Sequence, residues 1–167
     1  TAPIVLMDYS EVYFILSEIR DWDNDMYKKA VEASFDRWGV SSTRKAGYTI
    51  ADISSLTEEA KKERVLTQKY ISLYMNPDEA WAEYRRTGYP KTLINVGERV
   101  RANLPASNPS YYVFLKDPSA TDVTGIPERI NYPNTYKGLN LNYIEALKNM
   151  EASGDSRGKR LIFATRP

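Results

Sequence analysis

The sequence predicts a mainly α fold, with helical-hairpin (TPR-like) elements followed by long irregular loops that carry short β segments. Three observations support this. Four segments begin at a residue suited to cap a helix and then repeat apolar side chains at helical spacing. Six of the nine prolines fall within residues 89–138, where that period stops. Only "SYYVFL" and "PERINYP" in that stretch have strand character, and both are short enough to be edge-like.

The first helix begins in "DYSEVYFILSEIRDW", with Asp8 as N-cap and Glu11 completing a capping box. Val12, Ile15, Leu16, Ile19 and Trp22 then form its expected apolar stripe. A second helix follows at once from Asp23 or Asn24. Its stripe is Tyr27, Ala30, Val31, Ser34, Phe35 and Trp38, and Gly39 provides the stop. Together they predict an antiparallel helical hairpin over residues 8–39, with Ala30, Ala33 and Ser34 allowing close approach. One hairpin cannot bury its own outer face, so partners for that face must lie elsewhere.

Residues 39–54 have no clear period and read as a loop. Ser55 with Glu58 makes a second capping box, which predicts a helix over 55–75. Its early charges form a solvated face, and Leu66, Tyr70, Leu73 and Tyr74 its buried end. The next helix, 77–87, has the strongest local signals. Asn76 is its N-cap, Pro77 occupies the first helical position, and Glu79 is placed to reach back to the cap. Trp81, Tyr84 and Arg85 share a face, with Arg86 beside them. Gly88 then accepts a left-handed backbone and Pro90 prevents resumption. The expectation is structural: Trp81 and Tyr84 as core anchors, with arginine stacked or paired behind them. An irregular wrap over 89–138 leads to a last helix at 140–151, with Tyr143, Ile144, Leu147 and Met150 on one face. The tail "GDSRGKRLIFATRP" closes the chain.

Composition narrows the chemistry. At 167 residues the chain can bury one core, and it opens on Thr1, as a processed chain or a piece of a longer one does. A net charge of +1, from 23 basic and 22 acidic residues, gives no nucleic-acid footprint. No apolar run approaches the roughly 20 residues of a membrane helix. Without cysteine there is no thiolate, disulfide or Cys-based zinc site, and without histidine the usual base near neutral pH is missing. Thirteen tyrosines are the one compositional sign of a binding surface.

The catalytic motifs fail on context. "GDSRG", 154–158, matches the G-x-S-x-G elbow, but it follows a helix rather than a strand and no histidine exists to activate Ser156. "STRK", 42–45, fits S-x-x-K without its companion motifs, and no phosphate-cradling glycine loop is present. Glu79, Glu83 and Asp117 offer carboxylates for a paired-acid glycoside hydrolase, as any chain with this many acids does. No cofactor, metal or catalytic residue is expected.

"EAWAEYRRTGYP" resembles the most recognisable stretch of the SusD/RagB family, nutrient-binding lipoproteins of the Gram-negative outer membrane. The order of "SEVYFILSEIRDW", "YKKAVEASFDRWGVS", "TQKYISLYMNPDEAW", "IPERINYP" and "NLNYIEAL" is similar to that family across nearly the whole chain. The resemblance implies the C-terminal portion of a single SusD-like domain, residues 1–167. The rest of the protein and its lipid anchor would then lie upstream. It also implies a surface receptor for oligosaccharide or peptide that partners a SusC-like TonB-dependent transporter and performs no catalysis. The family often closes on a tryptophan-rich segment, where this chain has "RLIFATRP".

Sugar rings stack on aromatic side chains, so the residues expected to touch ligand are the loop aromatics Tyr48, Tyr111 and Tyr112. Adjacent residues of a strand face opposite ways, so only one of the latter pair should do so. The rival readings are a helical-repeat scaffold that binds protein, and the paired-acid hydrolase. Expressed alone, residues 1–167 are expected to be poorly soluble or molten because the hairpin's outer face is bare. Sharp cooperative unfolding in urea would contradict that expectation.

Overall fold

A computed structural model describes residues 5–101, 111–115, 118, 121–149 and 155–164. Asp117, Met150 and Gly154 lie outside the described residues. The chain forms two compact units, one built on Thr1–Thr92 and the other on Leu93–Ala164.

The first unit is helical. Helix α1 (Tyr9–Ile19) and helix α2 (Asn24–Arg37) make the expected hairpin, and both start where their caps dictate. The Asp8 carboxylate accepts the Glu11 N–H at 2.9 Å, and Asp23 accepts that of Met26 at 2.8 Å. The turn between them places Asp21 and Trp22 in the left-handed region. Ser17 fastens it: its carbonyl accepts the Asp23 N–H, and its hydroxyl donates to the Asp23 carbonyl at 2.8 Å.

The face that α1 buries differs from the expected stripe. Ser10, Glu11, Phe14 and Ser17 are buried, Val12, Ile15 and Leu16 only half-buried, and Ile19 is 69% exposed. At about 100° per residue the polar residues Ser10, Glu11, Ser17 and Glu18 gather on one arc around Phe14, and that arc is the one turned inward. Two serines permit close packing, and Phe14 fills the space between them. The stripe on α2 follows the expectation through Tyr27, Ala30 and Val31, but Trp38 stays 42% exposed. Phe14, Tyr27, Ala30, Val31, Ile53 and Val65 form the core.

Within the stretch read as loop, residues Ser42–Ala46 form a short helix, α3, because the Ser41 hydroxyl accepts the Arg44 N–H and Lys45 pairs with Asp36. The chain then returns to α2. Asn24 accepts the Ile53 N–H at 2.9 Å, and Lys28 pairs with Asp52 at 2.7 Å, holding that carboxyl far below the usual range.

Helix α4 (Glu58–Ser72) is capped by Thr57, not Ser55, and ends three residues before the expected Met75. Thr57 adopts the extended backbone a cap needs, and its hydroxyl accepts the Ala60 N–H. Leu73 closes the helix, and Met75 takes a left-handed backbone in the turn that leads to α5. Leu66 and Leu73 are buried as expected, Tyr70 is half-buried, and Tyr74 is 67% exposed.

Helix α5 (Pro77–Thr87) has the expected bounds, with Gly88 at φ 78° donating to the Tyr84 carbonyl. Two details differ. Asn76 makes no side-chain cap bond, because its ψ of 71° falls short of the 125–172° at the residues that do cap. Glu79, expected to reach back to that cap, is exposed. Trp81 and Tyr84 are half-buried rather than core anchors, and the side chains that α5 buries are Glu83 and Thr87. Arg85 does stack, its guanidinium 3.8 Å from the Trp81 ring centre.

Glu83 is the junction of this unit. Lys69 of α4 reaches it at 3.0 Å, and Arg86 reaches it at 2.7 Å while gripping Glu18 of α1 through two N–H groups at 2.7 and 2.8 Å. Burial pushes the Glu83 carboxyl up, but Arg86 and Lys69 outweigh it and hold the group below its ordinary range. The segment after α5 is tied back by Tyr89, which is buried and hydrogen-bonds Glu59 at the start of α4.

The second unit holds a two-stranded antiparallel ribbon, β1 (Arg99–Arg101) and β2 (Tyr111–Val113), followed by α6 (Tyr136–Leu139) and α7 (Tyr143–Asn149). Strand β2 falls within "SYYVFL". "PERINYP" is not a strand, because its polar groups are satisfied by the tail instead. Arg129 pairs with Asp155 at 2.7 Å, the Tyr132 N–H donates to the Asp155 carboxylate, and the Glu128 N–H donates to the Arg157 carbonyl. The last helix begins at Tyr143, which is buried, whereas Ile144 is exposed.

The Glu83 network yields an expected outcome. Within the longer protein that the resemblance implies, Lys69→Met removes one neutralising partner from a buried carboxylate and should cost about 3 kcal/mol in urea unfolding, which adding Glu83→Leu should partly restore. A carboxyl whose folded pKa is depressed stabilises fully above its unfolded value and loses that contribution as pH falls through the folded one. Acidification below about pH 4 should therefore narrow the gap between the two proteins.

Candidate binding surface

Ser156, the centre of the apparent elbow, is a structural hydroxyl. It donates to the Asp122 carbonyl at 3.0 Å and accepts the Gly158 N–H at 3.1 Å. Arg157 clamps the Asp122 carboxylate and holds it well below the usual range. Glycine is required at 158, since a Cβ there would stand 2.8 Å from the Asp122 carbonyl oxygen. The S-x-x-K pattern lies on α3, with its lysine engaged by Asp36.

Of the candidate acids, the two that are described, Glu79 and Glu83, offer no open pair. Glu83 is closed in its ion pairs and Glu79 is exposed. The Glu11 carboxyl is raised above its ordinary range, chiefly by burial. It is 8% exposed, and the cavity beside it measures about 10 Å³. That is room for roughly one water and no sugar ring.

The three expected ligand residues are all accessible. Tyr48 follows α3 in the first unit, 49% exposed and edge-on to Phe35 at 5.3 Å. Tyr111 and Tyr112 adjoin on β2 in the second unit, 47% and 68% exposed. Alternation turns them to opposite faces, and both remain accessible because the ribbon is open on each side. Sequence reasoning missed Arg99 and Arg101, which the register places across from Val113 and Tyr111. The only signal was the alternation in "GERVR", too short to read as a strand.

A separate apolar cavity of about 660 Å³ lies at the turn from α4 to α5, lined by Tyr70, Ile71, Leu73, Tyr74, Met75, Pro77 and Ala80. Trp38 meets Tyr74 at its side, ring centres 5.4 Å apart.

Residues 1–108 match a SusD-like family model described as starch-binding, associating with outer membrane. No curated protein sequence matches the chain. Among solved structures, a chitin-binding SusD homologue from Flavobacterium johnsoniae superposes with a TM-score of 0.72 at 25% identity. The match covers 97% of this chain and 37% of that one, so the chain spans little more than a third of the relative's length.

Within the longer protein that the resemblance implies, Ser156→Ala should leave any glycan-hydrolysing signal unchanged while costing about 1 kcal/mol in urea unfolding, as loss of a structural hydrogen bond does. Loss of such a signal without unfolding would make Ser156 a nucleophile after all.

Proposed function

The chain belongs to the SusD-like family of starch-binding, outer-membrane-associated proteins, and from that premise we propose that it is part of a cell-surface oligosaccharide receptor. In this reading the protein is a lipoprotein whose anchor lies outside these residues. It delivers ligand to a SusC-like TonB-dependent transporter and performs no catalysis. The observation that carries the reading is agreement in fold with a homologue that binds chitin, over 97% of this chain.

The side chains suit the task. Exposed tyrosines offer flat apolar faces to sugar rings, and neighbouring polar groups can take the hydroxyls. Tyr48, Tyr111 and Tyr112 are the proposed contacts. The closed surroundings of Glu11 and Glu83 support binding over hydrolysis, since neither has space for a glycosidic bond and an attacking water.

A second reading is a scaffold that binds protein. The apolar cavity at the α4–α5 turn favours it, because a groove of that size and character suits the apolar face of a helix.

Titration calorimetry with starch, chitin and peptide oligomers separates these readings. Heat is expected with a glycan, with no reducing ends released. Replacing Tyr48, Tyr111 or Tyr112 by Ala should weaken binding by about two- to tenfold for each ring that stacks. Reducing-sugar release would restore the hydrolase reading. Silence toward every glycan, with heat from a transporter or other protein, would favour the scaffold.

A further inference from the structure

We propose that one face of the β1–β2 ribbon binds a carboxylate-bearing oligosaccharide, a uronate-type glycan, through Arg99, Arg101 and Tyr111. The proposal rests on the receptor reading above and names the ligand's chemical class.

Register and alternation define the face. Arg99 lies opposite Val113 and Arg101 opposite Tyr111, so these four side chains share one side, with Val100 and Tyr112 on the other. The Arg99 guanidinium sits 4.3 Å from the centre of the Tyr111 ring. Contact through the ring's π face uses none of the guanidinium's five N–H donors, which remain available to a ligand. Both arginines are exposed, and neither has an acidic partner among the described residues.

Charge identifies the occupant. Residues 99–115 contain two arginines and no Asp or Glu, a net charge of +2 from side chains. The nearest acid before them, Glu98, falls on the opposite face by alternation. Its two oxygens are taken by the Asn95 backbone N–H at 2.9 Å and side-chain amide at 3.0 Å. A site for neutral sugar hydroxyls needs acceptors as well as donors, because each hydroxyl has a proton to place. Among the described residues this face supplies many donors, and the Tyr111 hydroxyl is its one side-chain acceptor. A planar carboxylate accepts two parallel N–H bonds from a guanidinium, while the ring beside it stacks on the sugar.

The test uses these residues within the longer receptor that the proposed function implies, titrated with oligogalacturonate, oligomannuronate and oligoglucuronate, each against its carboxyl-reduced neutral counterpart, and with poly-glutamate of matched charge. At least one uronate should bind about tenfold or more tightly than its reduced form. Arg99→Gln and Arg101→Gln should erase that preference without changing the urea midpoint. Arg99→Lys should retain only part of it, because an ammonium keeps the charge and loses the fork. Binding of neutral glycans with no uronate preference would overturn the proposal and leave the receptor reading standing. No glycan binding at all would overturn both. Affinity for poly-glutamate equal to that for the uronates would assign the face to an acidic polypeptide and equally overturn it.

Discussion

The first unit depends on how one buried carboxylate is neutralised. Glu83 points inward from α5, where an unpaired charge would be prohibitive, so Lys69 and Arg86 must both be near it. Arg86 in turn grips Glu18, so the distant α1 is tied at one point to the consecutive helices α4 and α5. Such a cluster adds little net stability over an apolar replacement, but misplacing any member is costly. It therefore acts on geometry. With Glu83 and Thr87 inward, the roughly 100° turn per residue places Trp81 and Arg85 about 200° away. The stacked pair is thus fixed on the other side of α5 without entering the core.

The parts legible in the sequence were those decided within a few residues. Asp8 and Asp23 cap their helices, Pro77 opens α5, and Gly88 closes it through a left-handed backbone, all from local chemistry. Parts decided by distant partners were not legible. The face buried by α1 is the arc that carries Ser10, Glu11 and Ser17 around Phe14, which its own apolar period points away from and only the neighbouring helices select. The fate of "PERINYP" depends on Asp155 and Arg157, more than twenty residues away, which take the hydrogen bonds a strand would have given a neighbour. At the candidate site the same division holds. Tyr111 and Tyr112 stood out as adjacent aromatics, while Arg99 and Arg101 gained meaning only once the register set them across from β2.

The perturbed groups tell a consistent story about chemistry. Shifted carboxyls often mark active sites, yet here each shift has a structural cause. Glu83 is lowered by its two cations against the pull of burial, Asp122 by the Arg157 clamp, and Glu11 is raised by the core around it. None of the three combines an open cleft with an unengaged acid. In Glu83 and Asp122 the charge is spent on holding neighbouring segments together, and in Glu11 the shift follows from packing.

The two accessible surfaces differ in what they can recognise. The cavity at the α4–α5 turn is lined by Tyr70, Ile71, Leu73, Tyr74, Met75, Pro77 and Ala80, with few polar groups to orient a hydroxyl. A sugar entering it would surrender hydrogen bonds to water and regain few of them, which costs more than stacking returns. The ribbon imposes no such loss. Its tyrosine supplies the apolar contact while its arginines supply directed donors, and the open setting leaves the rest of a ligand hydrated. Desolvation therefore favours the ribbon over the cavity as the place for the proposed glycan contacts.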